Sequence, residues 1–364
     1  MKIVEVCSYY PPHLGGIEYV VKNVALQLAA NGHDVTVLTS TIGSRRPGTV
    51  QNGHLREVYL RGFEFAHTPV ILTLPYHIAK MSKDSLIHIH LSHVYTELIV
   101  MIVAKLRRMP YVAHYHMDVD VSGRFGFLYK AYKKTLLPLV IRGAAHVITL
   151  SDEQRDIIIN RYKTLVDNVS VIPNGVGQEF FLKTSHDYKK RPLRLLFVGR
   201  FAKQKNLPRL IKTLPLLKIP VELYLVGDGE KKANLQALAD DLKLQNVHFD
   251  GALHGPDVIA AYQAADVFML TSDREGMPLV LLEAAAAGLP IIASNVQGLR
   301  EFIHGNGLLV TDPSPETFAA ALNNLSAVDL MRLSKASSRW AQDYTWQKLV
   351  KKMIKVFEDA SKNN

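Results

Sequence analysis

The densest chemistry in the chain lies in Ser272-Asp273-Arg274-Glu275-Gly276-Met277-Pro278-Leu279-Val280-Leu281-Leu282-Glu283-Ala284-Ala285-Ala286-Ala287-Gly288. Pro278 suits the first helical position and Gly276 lets a ligand approach the backbone closely. The N–H groups around Met277, Leu279 and Val280 then face an anion site that fits a diphosphate. Glu283 falls inside an otherwise apolar helix, where even a neutral polar group left alone would cost about 2–7 kcal/mol. It needs a partner. A sugar diol is one; a buried Arg or Lys is another, with the loop merely capping a helix. Two carboxylates eight residues apart would also suit a glycosidase, but that chemistry needs a sugar cleft between them, not a phosphate cradle.

Further residues offer the same ligand something to hold. Gly199-Arg200 at the end of an apolar run, followed by Lys205-Asn206, puts two cations in one loop. Such a pair can hold a leaving diphosphate, and a solvated basic loop has the same composition. Gly15-Gly16, inside Tyr9-Tyr10-Pro11-Pro12-His13-Leu14-Gly15-Gly16-Ile17-Glu18, allows close backbone approach to phosphate at a helix start, or is a plain tight turn. His88, His90, His93, His114 and His116 raise the question of zinc, with His88 and His90 on one strand face. No Cys cluster or helical His/Cys ligand pair completes a tetrahedral set, so no metal site is expected.

These residues must be positioned by an α/β framework. Ile3–Cys7, Val35–Thr39, Leu86–Leu91, Tyr111–His114, His146–Leu150 and Val169–Ile172 read as buried strands. Ile17, Val20, Val21, Val24 and Leu28 recur at helical spacing before the cap Asn31-Gly32. A second series runs through Leu193–Gly199, Val221–Gly227, Val247–Phe249, Val267–Leu270 and Pro290–Ala293. This is the rhythm of two doubly wound parallel sheets. The polar stretch 183–191 reads as the linker, giving domains over 1–182 and 192–345. A cleft between them is where ligands should bind, outside the strands' carboxyl ends. Trp346, Leu349, Val350, Met353, Ile354 and Phe357 make a final amphipathic helix over about 346–361 that needs a surface to pack on.

Composition narrows the class. The 364 residues suffice for two domains, and 48% hydrophobic with 21% charged residues describes an ordinary globular enzyme. A single cysteine, Cys7, suggests a reducing compartment; no export signal is read at the N-terminus and no run reaches the roughly 18 apolar residues of a spanning helix. A cytoplasmic protein is expected. The charge of +10 favours anionic partners. Residues 121–151 contain no acid, and 122–142 mix aromatic, aliphatic and basic side chains, which suits an interfacial helix on anionic lipid; a solvated internal helix is the alternative.

Taken together, these motifs resemble the retaining family 4 glycosyltransferases of the GT-B fold over nearly the whole chain. Glu275 and Glu283 match the two positions of the family's Glu-x7-Glu signature, Gly15-Gly16 its Gly-Gly loop, and Arg200 and Lys205 its Arg…Lys pair. The resemblance implies two facing Rossmann-like doubly wound domains with an interdomain cleft. It implies a donor domain on the C-terminal side, an acceptor domain on the N-terminal side, and a C-terminal helix crossing back onto the latter. It further implies that Arg200, Lys205 and the helix start at Pro278 stabilise the departing diphosphate, that Glu275 orients donor-sugar hydroxyls, and that Glu283 binds ribose. Backbone beside Gly251, in the turn Phe249-Asp250-Gly251, would meet the nucleobase. His116, or else His114, would reach the donor sugar, and Asp118-Val119-Asp120 would be a coincidental Asp-x-Asp, since catalysis in this fold is metal-independent.

The implied partners are a UDP- or GDP-sugar and a glycan or lipid-linked acceptor in cell-envelope glycan, glycolipid or exopolysaccharide synthesis, with no further cofactor. The chain departs from commoner family patterns at Asn206 and at Asn295-Val296-Gln297-Gly298. Two other readings remain: a GT-B nucleotide-sugar epimerase, for which no acid/base residues stand out, and a basic nucleic-acid binder, which leaves Glu275 to Glu283 unexplained.

Overall fold

The computed structural model describes residues 1–13, 15–43, 46–65, 68–92, 94–116, 126–164, 166–181, 188 and 192–362. The chain divides into two compact units, Met1–Asn174 with Trp346–Asn364, and Gly175–Thr345. Most of the stretch 183–191 lies outside the described residues, as do Asp118 and Asp120.

The first unit runs β1 (Lys2–Val6), α1 (Gly16–Ala30), β2 (Asp34–Ser40), β3 (Gly48–Asn52), β4 (Leu55–Leu60), β5 (Phe63–Phe65), β6 (Thr68–Val70), α2 (Leu74–Ala79), β7 (Leu86–Leu91), α3 (Val94–Arg107), β8 (Tyr111–Tyr115), α4 (Gly126–Thr135), α5 (Leu137–Gly143), β9 (His146–Thr149), α6 (Asp152–Tyr162) and β10 (Val169–Val171). Its main sheet has the order β10-β9-β8-β7-β1-β2-β4-β3. All pairs are parallel except the hairpin β3–β4. Helices cover a parallel sheet on both faces, so its strands are nearly continuous apolar runs; β7 is buried at every residue. Strand order reverses at β1/β7, the switch point where α/β ligands bind.

The second unit runs β11 (Leu193–Val198), α7 (Leu207–Thr213), β12 (Val221–Val226), α8 (Lys232–Asp241), β13 (Val247–Gly251), α9 (Pro256–Ala264), β14 (Val267–Leu270), α10 (Leu279–Ala286), β15 (Ile291–Ser294), β16 (Gly307–Val310), α11 (Pro315–Asn323) and α12 (Ala327–Ala341). Its sheet, β13-β12-β11-β14-β15-β16, is parallel, with its switch point at β11/β14. The chain then returns to the first unit as α13 (Trp346–Lys362), which packs on α1 and β8. Its apolar stripe of Trp346, Leu349, Val350, Met353 and Phe357 is buried there while Lys348, Lys351 and Lys352 face solvent. Among the described residues no helix is long and apolar enough to cross a membrane.

Three local expectations change. The hairpin β3–β4 was not legible as strands because β3 is exposed throughout and has no apolar alternation; its signal is Asn52-Gly53, with Gly53 at φ 56°. Pro278 is the N-cap of α10 and not its first helical residue, because its ψ of 130° is extended. The single helix expected over 122–142 is two where described, α4 and α5: the chain breaks at Leu136, and Pro138, lacking an N–H, sits at the start of α5.

Candidate active site

In the second unit two loops meet at the carboxyl ends of β11 and β14. The loop after β11 carries Lys205 and the loop after β14 carries Glu275. Neighbouring strands bring them side by side, and backbone and side chains sew them together. Asp273 N donates to Gln204 O (2.8 Å), and Thr271 Oγ1 donates to Lys205 O (3.1 Å). Asn206 Nδ2 and Arg209 Nη2 both donate to Asp273 (3.0 Å each). Asn206, the departure from the commoner pattern, sits at φ 47°, a left-handed conformation that asparagine tolerates better than most residues.

Lys205 Nζ donates to Glu275 Oε1 at 2.7 Å, with side-chain exposures of 13% and 5%. Ser272 Oγ donates to the same oxygen at 2.5 Å. Both bonds fall on Oε1. An ammonium has three N–H groups, so Lys205 holds Glu275 and can still reach an anion. Arg200 stands apart: its side chain is 76% exposed, with Nε 3.9 Å from Glu230, so the two expected cations are one buried and paired, one in solvent.

Gly276 and Met277 lead from this loop to Pro278 and α10. Leu279 and Val280 occupy the first turn, where backbone N–H groups have no acceptor within the helix. Gly298 supports the loop from below. At φ 80°, a Cβ there would lie 2.2 Å from the carbonyl oxygens of both Glu275 and Gly276. Sequence reasoning noted Gly298 only as part of an unusual stretch; nothing local shows which backbone it meets.

Glu283 projects from α10 among the buried Leu281, Leu282, Ala284, Ala285 and Ala286. Its partner is neither Arg nor Lys: Tyr262 Oη, from α9, donates to Oε2 at 2.7 Å. Burial pushes the carboxyl up to about 7, against the lowering effect of Tyr262 and with Glu179 adding to the rise. Gly251 ends β13 at φ 73° with no atom near its would-be Cβ, so its backbone is open. Its carbonyl accepts from Gly227 N (2.7 Å), and Gly227 itself admits no side chain, since a Cβ would sit 2.0 Å from Gly199 O.

In the first unit Gly15 is the N-cap of α1 and Gly16 its first residue. Neither glycine is demanded by the space around it: a Cβ on Gly15 would meet only the movable end of the Glu18 side chain, 2.1 Å from Oε2, and Gly16 has nothing within 4 Å. The Glu18 carboxylate folds onto the helix start and pairs with His13 at 3.0 Å. Burial raises its carboxyl, opposed by the backbone N–H and by His13. A carboxylate thus already sits where a phosphate was expected.

His116 follows the last residue of β8, at the strand's carboxyl end, 5% exposed; His114 lies within β8, fully buried. Strand pairing also gathers what spacing did not show. His88, His90 and His114, residue types that can hold a metal, have ring nitrogens within 4.8 Å of one another, and Glu5 of β1 lies against His88 at 2.9 Å.

Against known proteins, residues 14–180 match the family model "Glycosyltransferase Family 4" and residues 179–342 match "Glycosyl transferases group 1". An uncharacterized glycosyltransferase of Methanocaldococcus jannaschii is 29% identical over 99% of this chain and 98% of its own. Among solved structures, the sucrose-phosphate synthase of Thermosynechococcus elongatus superposes with TM-score 0.82 at 21% identity over 100% of both chains. Anabaena HepE in complex with UDP and glucose does so with TM-score 0.76 at 18% identity, over 98% of this chain and 99% of that one. The fold is GT-B, two Rossmann-like units. The chain belongs to glycosyltransferase family 4. The matched families are transferases and give the epimerase reading no support.

Proposed function

We propose that this glycosyltransferase moves a hexose, with retention of configuration, from a UDP- or GDP-sugar to a glycan or lipid-linked acceptor of a cell-envelope glycan, glycolipid or exopolysaccharide. The observation that carries the reading is the pair Lys205–Glu275 at the β11/β14 switch point, next to the start of α10. As the bond from sugar to phosphate breaks, negative charge grows on the diphosphate and positive charge on the sugar. Lys205, Arg200 and the N–H groups of Leu279 and Val280 stabilise the first without any resident metal. Glu275, held through Oε1, offers Oε2 to the donor-sugar hydroxyls and so sets the sugar's pose. Glu283 and Tyr262 receive the ribose, and the open backbone at Gly251 receives the base. No residue is assigned as a covalent nucleophile. UDP is the favoured nucleotide, since HepE, of the same fold, binds UDP and glucose.

The acceptor side suits an anionic membrane surface on the cytoplasmic face. Ile102, Leu106 and Leu139 are 48%, 79% and 50% exposed, and with Met101, Lys105 and Arg108 they line an open groove of about 1080 Å³. Apolar side chains rimmed by cations are what a peripheral protein presents to acidic lipid.

The decisive experiment incubates the protein with a panel of UDP- and GDP-sugars and lipid or glycan acceptors, with and without EDTA, and reads the product's anomeric configuration by NMR. Transfer with retention, unaffected by EDTA, is expected. Thermal stabilisation by a single nucleoside diphosphate names the base; stabilisation by duplex DNA but by no nucleotide would sink the reading.

A further inference from the structure

The first unit buries a polar group that the donor-side loops do not explain. Glu5 on β1, His88 and His90 on β7, His114 on β8 and His116 just beyond it are all buried at the switch point of their sheet. We propose that Glu5 and His90 are positioning residues that fix His116 in its Nε2–H tautomer, so that Nδ1 presents a lone pair to a hydroxyl of a sugar bound at the carboxyl end of this sheet. The sugar in this statement rests on the glycosyl-transfer reading; the tautomer rests on the hydrogen-bond chain alone.

The chain reads in one direction only. Burial pushes the Glu5 carboxyl up, but the charge of His88 and the hydrogen bonds of His88 and His90 outweigh it and hold it at about 2. An ionised carboxylate only accepts. His88 Nδ1 (2.9 Å) and His90 Nε2 (3.2 Å) therefore both donate to Glu5 Oε2. Burial holds His90 at about 4, so near neutral pH it carries one proton. Having donated from Nε2, it accepts at Nδ1. His90 Nδ1 lies 2.8 Å from His116 Nε2, which must be the donor. The two rings are 16° from coplanar with centroids 5.1 Å apart, the head-to-head arrangement of an N–H···N bond. Burial also lowers His116 well below the usual histidine range, leaving it neutral with Nδ1 bare.

The surroundings remove the remaining freedom of His116. His114 stacks on it at 4.3 Å and 20°, with both its own nitrogens unpartnered, so it acts as a platform and competes for no bond in the chain. Gln154 Nε2 donates to the His116 carbonyl at 3.0 Å and anchors the backbone. A metal held by His88, His90 and His114 is the competing use of these residues. Both His90 nitrogens are already engaged. His88 Nδ1 is likewise held by Glu5, at 2.9 Å, so two of the three rings spend nitrogens on the carboxylate.

The test is a two-bond proton–nitrogen correlation spectrum of the full chain labelled with 15N-histidine, the His116 signals being assigned by their loss in His116→Gln. A protonated Nε2 and bare Nδ1 are expected in the wild type. In Glu5→Gln the carboxamide no longer enforces donation by His90: with its NH2 at the Oε2 position it donates to His90 Nε2, which then donates from Nδ1, so the second His116 tautomer should appear. The kcat of transfer should fall about 10- to 100-fold, the usual effect of removing an orienting outer partner, with KM for the nucleotide sugar changed less than threefold. A wild-type His116 protonated at Nδ1 overturns the proposal, as does a Glu5→Gln kcat within twofold of wild type. Stoichiometric zinc in protein purified without chelator, with His signals that shift on EDTA treatment, overturns it as well. Should Glu5→Gln not fold, His90→Gln takes its place and the wild-type spectrum alone decides the tautomer. Absence of transfer by the wild type with every nucleotide sugar refutes the reaction and is read separately from the tautomer.

Discussion

Replacing Lys205 by methionine removes the ammonium while keeping most of the side-chain stem in place. Glu275, 5% exposed, is then left with Ser272 Oγ as its hydrogen-bond donor. Breaking a buried pair from one side costs about 3–5 kcal/mol, and the surviving serine bond favours the lower end, about 3 kcal/mol. In a unit of this size that corresponds to a fall of about 6 to 12 °C in the melting midpoint. Calorimetry should see it in the transition of the second unit. Losing one donor to the departing diphosphate removes a further 2.7–4 kcal/mol, roughly, from the transition state, or about 10²–10³ in kcat. The double variant Lys205→Met/Glu275→Gln separates the two effects. With no charge stranded, its stability should return to within about 1 kcal/mol of wild type, while transfer stays lost. A single variant melting within about 2 °C of wild type, or a double variant less stable than the single one, would refute the reasoning that the pair is buried and coupled.

Gly298→Ala should drive its methyl into the carbonyls of Glu275 and Gly276, 2.2 Å away, and displace the loop; a lowered melting midpoint and a kcat down by about 10²-fold are expected, from melts and initial rates. Glu283, raised to about 7, is protonated in the fold at pH values where the unfolded chain has already lost that proton. Its contribution to stability is therefore fully present below the ordinary glutamate range and is lost as pH rises through about 7, which pH-dependent denaturation will show as a slope absent from Glu283→Gln. Because the ionised form accepts ribose hydroxyls best, UDP affinity by calorimetry should rise through the same range in the wild type only. Leu106→Glu combined with Leu139→Glu should abolish sedimentation with phosphatidylglycerol vesicles at low salt and leave the melting midpoint unchanged.

Much of this molecule was legible before any coordinates. The β/α rhythm, the cap Asn31-Gly32, the stripe of α13 and the Glu275-to-Glu283 segment are local patterns, written in periods of two or 3.6 and in the few residues that tolerate a turn. Exposed or short strands escaped: β3 has no apolar face, and the four-residue β16 carries too little signal. The site's residue types were recognisable, but not their partners. Glu283 takes its hydrogen bond from Tyr262 on another helix, Lys205 meets Glu275 seventy residues away, and Glu5 meets His88 after eighty-three. Residue type and spacing determined which chemistry was available, because those depend on neighbours along the chain. Which groups share a proton, a charge or a carbonyl was decided by strand order and crossover. Only the folded sheets bring distant strand ends within the few ångströms over which hydrogen bonds and buried charges act.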